Sequence, residues 1–438
     1  MGIQWRTQSS QIKGLRAMNN WIKSCIIQKF SPNPSLAAAA RERGDMQYGG
    51  EADERLYVLD VGCGKGGDLR KWKLAPQEVG IYVGVDTAEV SVAQARDRYE
   101  SMLRERPPQP RGRDRDNRRG PPPLPRLFRA DFAVRDCWVD SFSDVQCIRE
   151  IGFDTAVGPG NRAAARWSQG GGFDVVSMMF CLHYAFESEA KTKRMLSNVA
   201  GSLKKGGRFF GTIPSSDVIK DKLTNWAKEQ TKEGQASDNT GDGEDKDKED
   251  GNKPRELTWG NSIYKVTFSD EVLPRIHPTT TTTSTTTPAP TSSTTQPHQQ
   301  WDGRFRPPFG WRYTYHLEEA VTGVPEYVVP WESFRALCED YNLELIYKKP
   351  FHDVWRDEGK NGDGILGGLS ERMGVRARGG GGGRRDDRGG WDRDRDTDRG
   401  ERGDRGREGP VEGVEGTVLS KEEWDACGFY LAFAFRKS

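Results

Sequence analysis

The segment at 56–68, LYVLDVGCGKGGD, constrains this 438-residue chain more than any other. Its mainly apolar first half reads as a buried strand. Glycines directly after a strand let the main chain turn tightly and leave room for a ligand to approach the backbone. A helix starting beyond them turns unpaired N–H groups toward the same crevice. Strand, glycine turn and helix in that order predict an α/β fold with a ligand site at the carboxyl edge of a parallel sheet.

The glycine spacing leaves the ligand open. Gly62, Gly64 and Gly67 satisfy GxGxxG, as a dinucleotide site requires. Gly62, Gly64 and Gly66 satisfy GxGxG, the usual spacing for S-adenosylmethionine. Carboxylates separate the two. Asp60 lies inside the end of the first strand, where a pyrophosphate site avoids an anion but an ammonium and a sulfonium are welcome. Asp86 ends a second strand at 81–85 and suits the two hydroxyls of a ribose, a need both ligands share. Asp131 is expected to follow a short third strand at 127–128 and to accept from an adenine amino group. One strand-end aspartate is as readily a helix cap; three around one crevice favour S-adenosylmethionine. Asp68-Leu69-Arg70 after Gly67 excludes a Walker loop, and no GxSxG serine occurs.

A helix at 91–103 is expected to follow the second strand, and further strands at 173–180 and 208–213 to flank a helix through Met195, Leu196 and Val199, which gives parallel βαβ units with helices on both faces. Leu69, Trp72 and Leu74 are assigned to a helix after the glycine turn. At 11–30, Leu15, Met18, Trp21, Ile22, Cys25 and Ile26 recur three and four apart, an amphipathic helix that Pro32 and Pro34 end. Later strands fall at 262–268, 313–317 and 343–348, with a helix at 329–343. The apolar alternation at 429–435 must be locked into a sheet. Stretches 101–125, 229–256, 275–300 and 374–412 are low-complexity insertions with too little apolar surface to offset the entropy of ordering.

Composition excludes more than it selects. Lys plus Arg number 66 against 65 acidic residues, so no global field attracts a polyanion and a nucleic acid needs a local basic cleft. Seven cysteines without a CxxC pair argue against a zinc ribbon and for a reducing compartment. No apolar run is long enough to span a bilayer, and the first ten residues lack a signal core.

Several blocks together resemble the eukaryotic mRNA cap guanine-N7 methyltransferases. They are LRAMNNWIKS at 15–24, VLDVGCGKGGDLRKW at 58–72, FDVVSMMFCLHYAFE at 173–187, LKKGGRFFGTIP at 203–214, GNSIYKVTF at 260–268, VPEYVVP at 324–330 and EEWDACGFYLAFAFRK at 422–437. The resemblance spans the chain and makes 11–438 one cap methyltransferase domain. It implies a class I, Rossmann-like fold: a mostly parallel seven-stranded sheet with a reversed last strand, and a cap-side lobe within 260–348. It reads the start of the first block near the N-terminus as the absence of a longer basic arm.

By the same resemblance, S-adenosylmethionine is the methyl donor and no metal takes part. Its contacts fall on Lys23, Gly62, Asp86, Asp131, Tyr184 and position 179. Guanosine-cap contacts fall on Asn19, Asn20, Lys65, Lys71, Arg98, His183, Glu326 and Tyr430. Lys65, Lys71 and Arg98 supply charge for the 5′ triphosphate. Glu326 accepts from the guanine N1–H and exocyclic amino group, a pairing adenine cannot reproduce. His183, Tyr184 and Glu326 position the base, and no residue carries a proton. Met179 departs from the family's glutamine, loses its donor and acceptor, and is expected to weaken cofactor binding. The implied partners are 5′-capped mRNA, the capping guanylyltransferase and triphosphatase, and the RNA polymerase II C-terminal tail. The implied location is the nucleus, without a membrane. A methyltransferase on another acceptor and a catalytically weak cap-binding pseudo-enzyme stand as alternatives.

Overall fold

The computed structural model describes residues 10–31, 55–105, 127–160, 171–238, 255–274, 301–360, 364–376 and 413–438, with backbone only for 231–238. In chain order the elements are α1 (Lys13–Phe30), β1 (Leu56–Val61), α2 (Leu69–Lys73), β2 (Val79–Asp86), α3 (Glu89–Arg104), β3 (Arg129–Val134), α4 (Gln146–Ile151), β4 (Phe173–Met179), α5 (Glu189–Ser202) and β5 (Leu203–Pro214). They continue with α6 (Ser216–Asp238), β6 (Glu256–Gly260), β7 (Tyr264–Ser269), β8 (Arg312–Leu317), β9 (Val321–Tyr327), α7 (Trp331–Asp340) and β10 (Leu343–Pro350). The last are α8 (Phe351–Val354), α9 (Ile365–Arg372), α10 (Lys421–Cys427) and β11 (Tyr430–Lys437).

Seven strands form one sheet in the order β10-β11-β5-β4-β1-β2-β3. Five neighbours from β3 to β5 run parallel, and β11 is antiparallel to both β5 and β10. This is the class I, Rossmann-like arrangement with a reversed last strand. β1 and β4 are buried almost throughout because helices cover both faces. Alternation sorts the side chains: Val58, Tyr82 and Val175 face a core with α1, while Leu59, Val83 and Val176 face the core with α5 and α7.

α1 buries more than one stripe: Gly14, Ser24 and Ile27 are covered as well as the six expected apolar residues. The helix is packed between the sheet and Trp355, α9 and α10. Trp21 meets Trp355 edge-on at 5.4 Å and donates to the Leu366 carbonyl at 3.0 Å. A tryptophan so buried contributes about 3–5 kcal/mol to a core. Glu423, in the capping box of α10, also accepts from Leu15 N–H at 3.1 Å. One buried carboxylate thus satisfies the starts of two helices, which fixes α1 and the residues it carries.

The second sheet, β6-β7-β8-β9, is antiparallel. Its inner face, Val266, Phe268, Tyr313 and Tyr315, packs on Ile219 and Leu223 of α6 and on Phe429 and Tyr430.

Several expectations need correction. The third strand runs 129–134 rather than 127–128, so Asp131 lies inside it. β6 and β9 were not anticipated. α3 continues to Arg104 and α6 to Asp238, into stretches read as insertions, because a helix with its first turns packed propagates at little further cost. Leu74 and Leu103, counted on apolar faces, are exposed: α2 ends at Lys73, and Met102 is the buried residue near the end of α3. Of the four insertions, 106–125, 239–254, 275–300 and 377–412 lie outside the described residues. No described helix is long and apolar enough to cross a membrane.

Candidate functional site

The turn after β1 needs glycine for two different reasons. Gly62 has φ +72°, and a side chain there would meet the Cys181 sulfur at 2.5 Å. Gly64 has φ +51°, but nothing lies within 4 Å of where its Cβ would stand. The backbone therefore borders open space, a cradle a Cβ would fill. Gly64 N–H donates to Asp86 Oδ2 at 2.8 Å and Ala88 N–H to Asp86 Oδ1 at 2.9 Å. Each oxygen is anchored once and keeps a lone pair for a ligand hydroxyl.

Asp60 does not reach that space. It is buried beneath the turn and accepts from Ser177 at 2.7 Å and Tyr82 at 2.8 Å. Burial, with Asp68 nearby, pushes its carboxyl up to about 7, against the pull of those hydroxyls and Lys23. Asp68 shifts the other way. Burial raises it, but Lys23 on Oδ2 at 2.9 Å and Lys71 on Oδ1 at 2.8 Å together outweigh burial and hold it below the usual range. Lys71 also donates to Asn20 Oδ1 at 2.8 Å. The α1 residues Asn20 and Lys23 thus join the glycine turn through one carboxylate. Asn19 Oδ1 is buried there with no hydrogen-bond partner among the described residues. Lys65 and Arg98 are exposed at the rim, where Arg98 donates to Gly66 O at 3.4 Å.

β4 is followed by Phe180, whose φ of +60° is unusual for a bulky residue. Its N–H is held by the Thr212 carbonyl at 3.1 Å and hydroxyl at 3.0 Å. The strained corner turns the chain past Cys181, which donates to Val61 O at 3.2 Å, into a short helical turn, Leu182–Glu187. That turn presents His183 and Tyr184, rings 4.3 Å apart. His183 is 2% exposed, and its Nε2 lies 3.4 Å from Oε1 of Glu326, itself 5% exposed. Geometry denies them a hydrogen bond, so both imidazole nitrogens are buried without a partner among the described residues. Glu326 Oε2 accepts from Tyr313 OH at 2.8 Å. Tyr430 closes the other side, its ring 5.1 Å from Phe180.

The two clusters adjoin at Cys181, whose sulfur lies against Gly62 and which directly precedes the turn bearing His183 and Tyr184. Burial, Asp60 and Asp86 push the Cys181 thiol up, and burial, Glu326 and Cys181 push the Tyr184 phenol up. Orphaned polar atoms, a cradle beside Gly64 and free lone pairs on Asp86 fit a nucleoside bearing a charged tail.

Asp131 stands apart from this grouping. It pairs in register with Val83 in the middle of the edge strand β3, is 33% exposed and binds Arg129 at 3.0 Å. The carboxylate at the end of β3 is Asp136. Its neighbour Arg135 donates to the Asp86 carbonyl at 3.0 Å, and Trp138 N–H donates to Asp136 Oδ1 at 2.9 Å. Burial, Cys181, Asp136 and Asp86 all raise the adjacent Cys137 thiol. Treating the strand as two residues hid Asp136; continuing it through Phe132 to Val134 exposes it. Tyr313 and Tyr315 were also missed, although their two-residue spacing puts both on one face of a strand. Met179 is buried in β4, in the core shared with α1.

The chain matches the model of the mRNA (guanine-N(7))-methyltransferase domain over residues 1–282 and 293–438. It is 48% identical to the mRNA cap guanine-N(7) methyltransferase of Aspergillus fumigatus over its whole length, covering 55% of that protein. The corresponding Aspergillus oryzae protein is 45% identical, with all of this chain and 72% of the relative aligned. Among solved structures, an S-adenosylmethionine-dependent methyltransferase from Clostridium acetobutylicum aligns over 72% of this chain and 80% of its own, at 10% identity and TM-score 0.30.

Proposed function

The chain belongs to the mRNA (guanine-N(7))-methyltransferase domain family, and from that premise we propose that it methylates N7 of the guanosine cap of mRNA, with S-adenosylmethionine as donor. The observation that carries this reading is the buried His183–Glu326 pair, without a hydrogen bond between its members, on the same crevice as the Gly64 cradle and Asp86. When bound, S-adenosylmethionine supplies an electrophilic methyl group with a good leaving group.

Guanine N7 has a free lone pair at neutral pH, so the residues need not move a proton. They hold the base and exclude water. With Oε2 taken by Tyr313, Glu326 offers Oε1 to the N1–H and amino group of guanine. His183, Tyr184 and Tyr430 bound the base. Lys71, Lys65 and Arg98 attract the triphosphate, with Asn19 and Asn20 lining its approach. On the donor side, Asp86 takes the ribose hydroxyls, Lys23 the carboxylate, and Gly62 with Met179 borders the adenosine. We assign the adenine amino contact to Asp136 rather than Asp131, because it stands beside Asp86. Nuclear location, and contact with the capping guanylyltransferase, the triphosphatase and the polymerase tail, belong to the same proposal and rest on family resemblance.

Incubation with GpppG-capped RNA and methyl-labelled S-adenosylmethionine, followed by nuclease mapping, tests it. Label at guanine N7 is expected; label elsewhere, or none, overturns it.

A further inference from the structure

A cavity of about 560 Å³ lies outside the crevice, between the starts of α6 and α7 and the 303–308 loop. Its size is that of a ligand pocket. Two flat rings, Phe305 and Trp331, line it, with Pro308 and Pro330 beside them. Phe305 is held rigid by Trp301 at 5.5 Å and Trp311 at 5.2 Å.

Its charge is one-sided once pairs are removed. Asp217 is tied to Lys348 at 2.8 Å, Glu332 to Arg335 at 3.3 Å, and Asp302 to Arg306 at 3.3 Å. Lys220 and Arg304 line the cavity, are exposed, and have no ion pair among the described residues. The first residues of α7 also line it, and first-turn N–H groups have no acceptor within their own helix. Trp331 is buried under Lys348 and Phe435, which leaves Phe305 as the stacking face. Unpaired cations beside an aromatic face are what a single-stranded nucleic acid requires.

The cavity is built onto the crevice. Val328 N–H donates to Trp311 O at 3.0 Å, Trp331 N–H to Ser216 Oγ at 3.1 Å, and Ser215 N–H to the carbonyl of Phe429, next to Tyr430, at 2.8 Å. Glu326 and Pro330 are four residues apart, at most about 14 Å of chain. Resting on the cap-methylation reading, we propose that this cavity holds a nucleotide of the RNA chain downstream of the cap. Its base stacks on the half-buried Phe305, and its phosphates lie on Lys220 and Arg304. Substrate length, not only the cap, then contributes to affinity.

The test uses the full chain and the double variant Lys220→Ala/Arg304→Ala. Anisotropy of a labelled, uncapped RNA of about ten nucleotides, within the usual single-strand site size, is followed against salt. Steady-state methylation is compared for GpppG and for the same RNA capped. Binding of the RNA is expected to weaken about tenfold, with the salt slope shallower by about 1.4 for two lost phosphate contacts. KM for the capped RNA rises in step, and KM for GpppG stays within about twofold. Unchanged RNA affinity and slope, or an equal rise for GpppG, overturns the proposal. So does loss of binding to a phosphoserine peptide with RNA binding intact, which assigns the cavity to a protein partner. If the unmodified chain methylates neither substrate, the functional reading fails, and anisotropy still decides the cavity.

Discussion

Glu326→Gln tests the guanine-reading role with the least disturbance. The carboxylate is buried, and Tyr313 OH donates to it at 2.8 Å. Alanine would strand that hydroxyl and cost about 1–3 kcal/mol of stability; glutamine keeps an acceptor for it. What glutamine loses is the charge, and its NH₂ group replaces one acceptor. With the amide oxygen kept on Tyr313, the NH₂ group faces the guanine donors and offers them no acceptor. A lost hydrogen bond to a charged partner is worth about 1.5–3 kcal/mol. On the transition-state scale this lowers kcat/KM for capped RNA about 10- to 150-fold. The donor side is touched by neither change, so the Kd of S-adenosylmethionine stays within about twofold, read by calorimetry. Initial rates with GpppG-capped RNA give kcat/KM, and a thermal melt checks folding. A parallel loss of cofactor affinity, or kcat/KM within about threefold of the unmodified chain, would refute the assignment.

Asp136→Asn is expected to weaken S-adenosylmethionine about 5- to 30-fold, about 1–2 kcal/mol, while Asp131→Asn stays within about twofold. The reverse ranking in the same titration returns the role to Asp131. Met179→Gln restores a donor and an acceptor at a buried position of β4, and the Kd is expected to hold or fall. A clear rise shows that the thioether is adapted to its surroundings. Asp60, raised to about 7 by burial and Asp68, binds its proton more tightly folded than unfolded. Its contribution is therefore full at acid pH and lost as pH climbs toward 7. Asp60→Asn should flatten the fall in Tm between about pH 5 and 7; an unchanged slope places the titration elsewhere.

Periodicity and turn chemistry made most of the sheet legible. A strand of apolar residues ending in Gly62 has few other resting places than mid-sheet, and the alternation ending the chain demanded strands on both sides. β3 was misread because a half-buried edge strand, ADFAV, carries no strong pattern of its own. Its length follows from β2, which supplies a hydrogen-bonding partner as far as Asp86. β6 and β9 escaped for a similar reason: β6 is lightly covered, and β9 is interrupted by Gly323 and Pro325, so neither carries a strong apolar alternation.

The chemistry of the site divides along the same line. Local order made the glycine turn, Asp86 and the α1 block readable, since each lies within a few residues of the feature that explains it. Nothing local distinguishes Lys71 as a free phosphate ligand from Lys71 shared with Asp68 and Asn20, or tells that Asp60 points into the core. The pairing of His183 with Glu326 joins residues far apart in the chain. Burial, charge compensation and orphaned polar atoms are properties of neighbours, and neighbours from separate segments exist only once the chain has closed on itself.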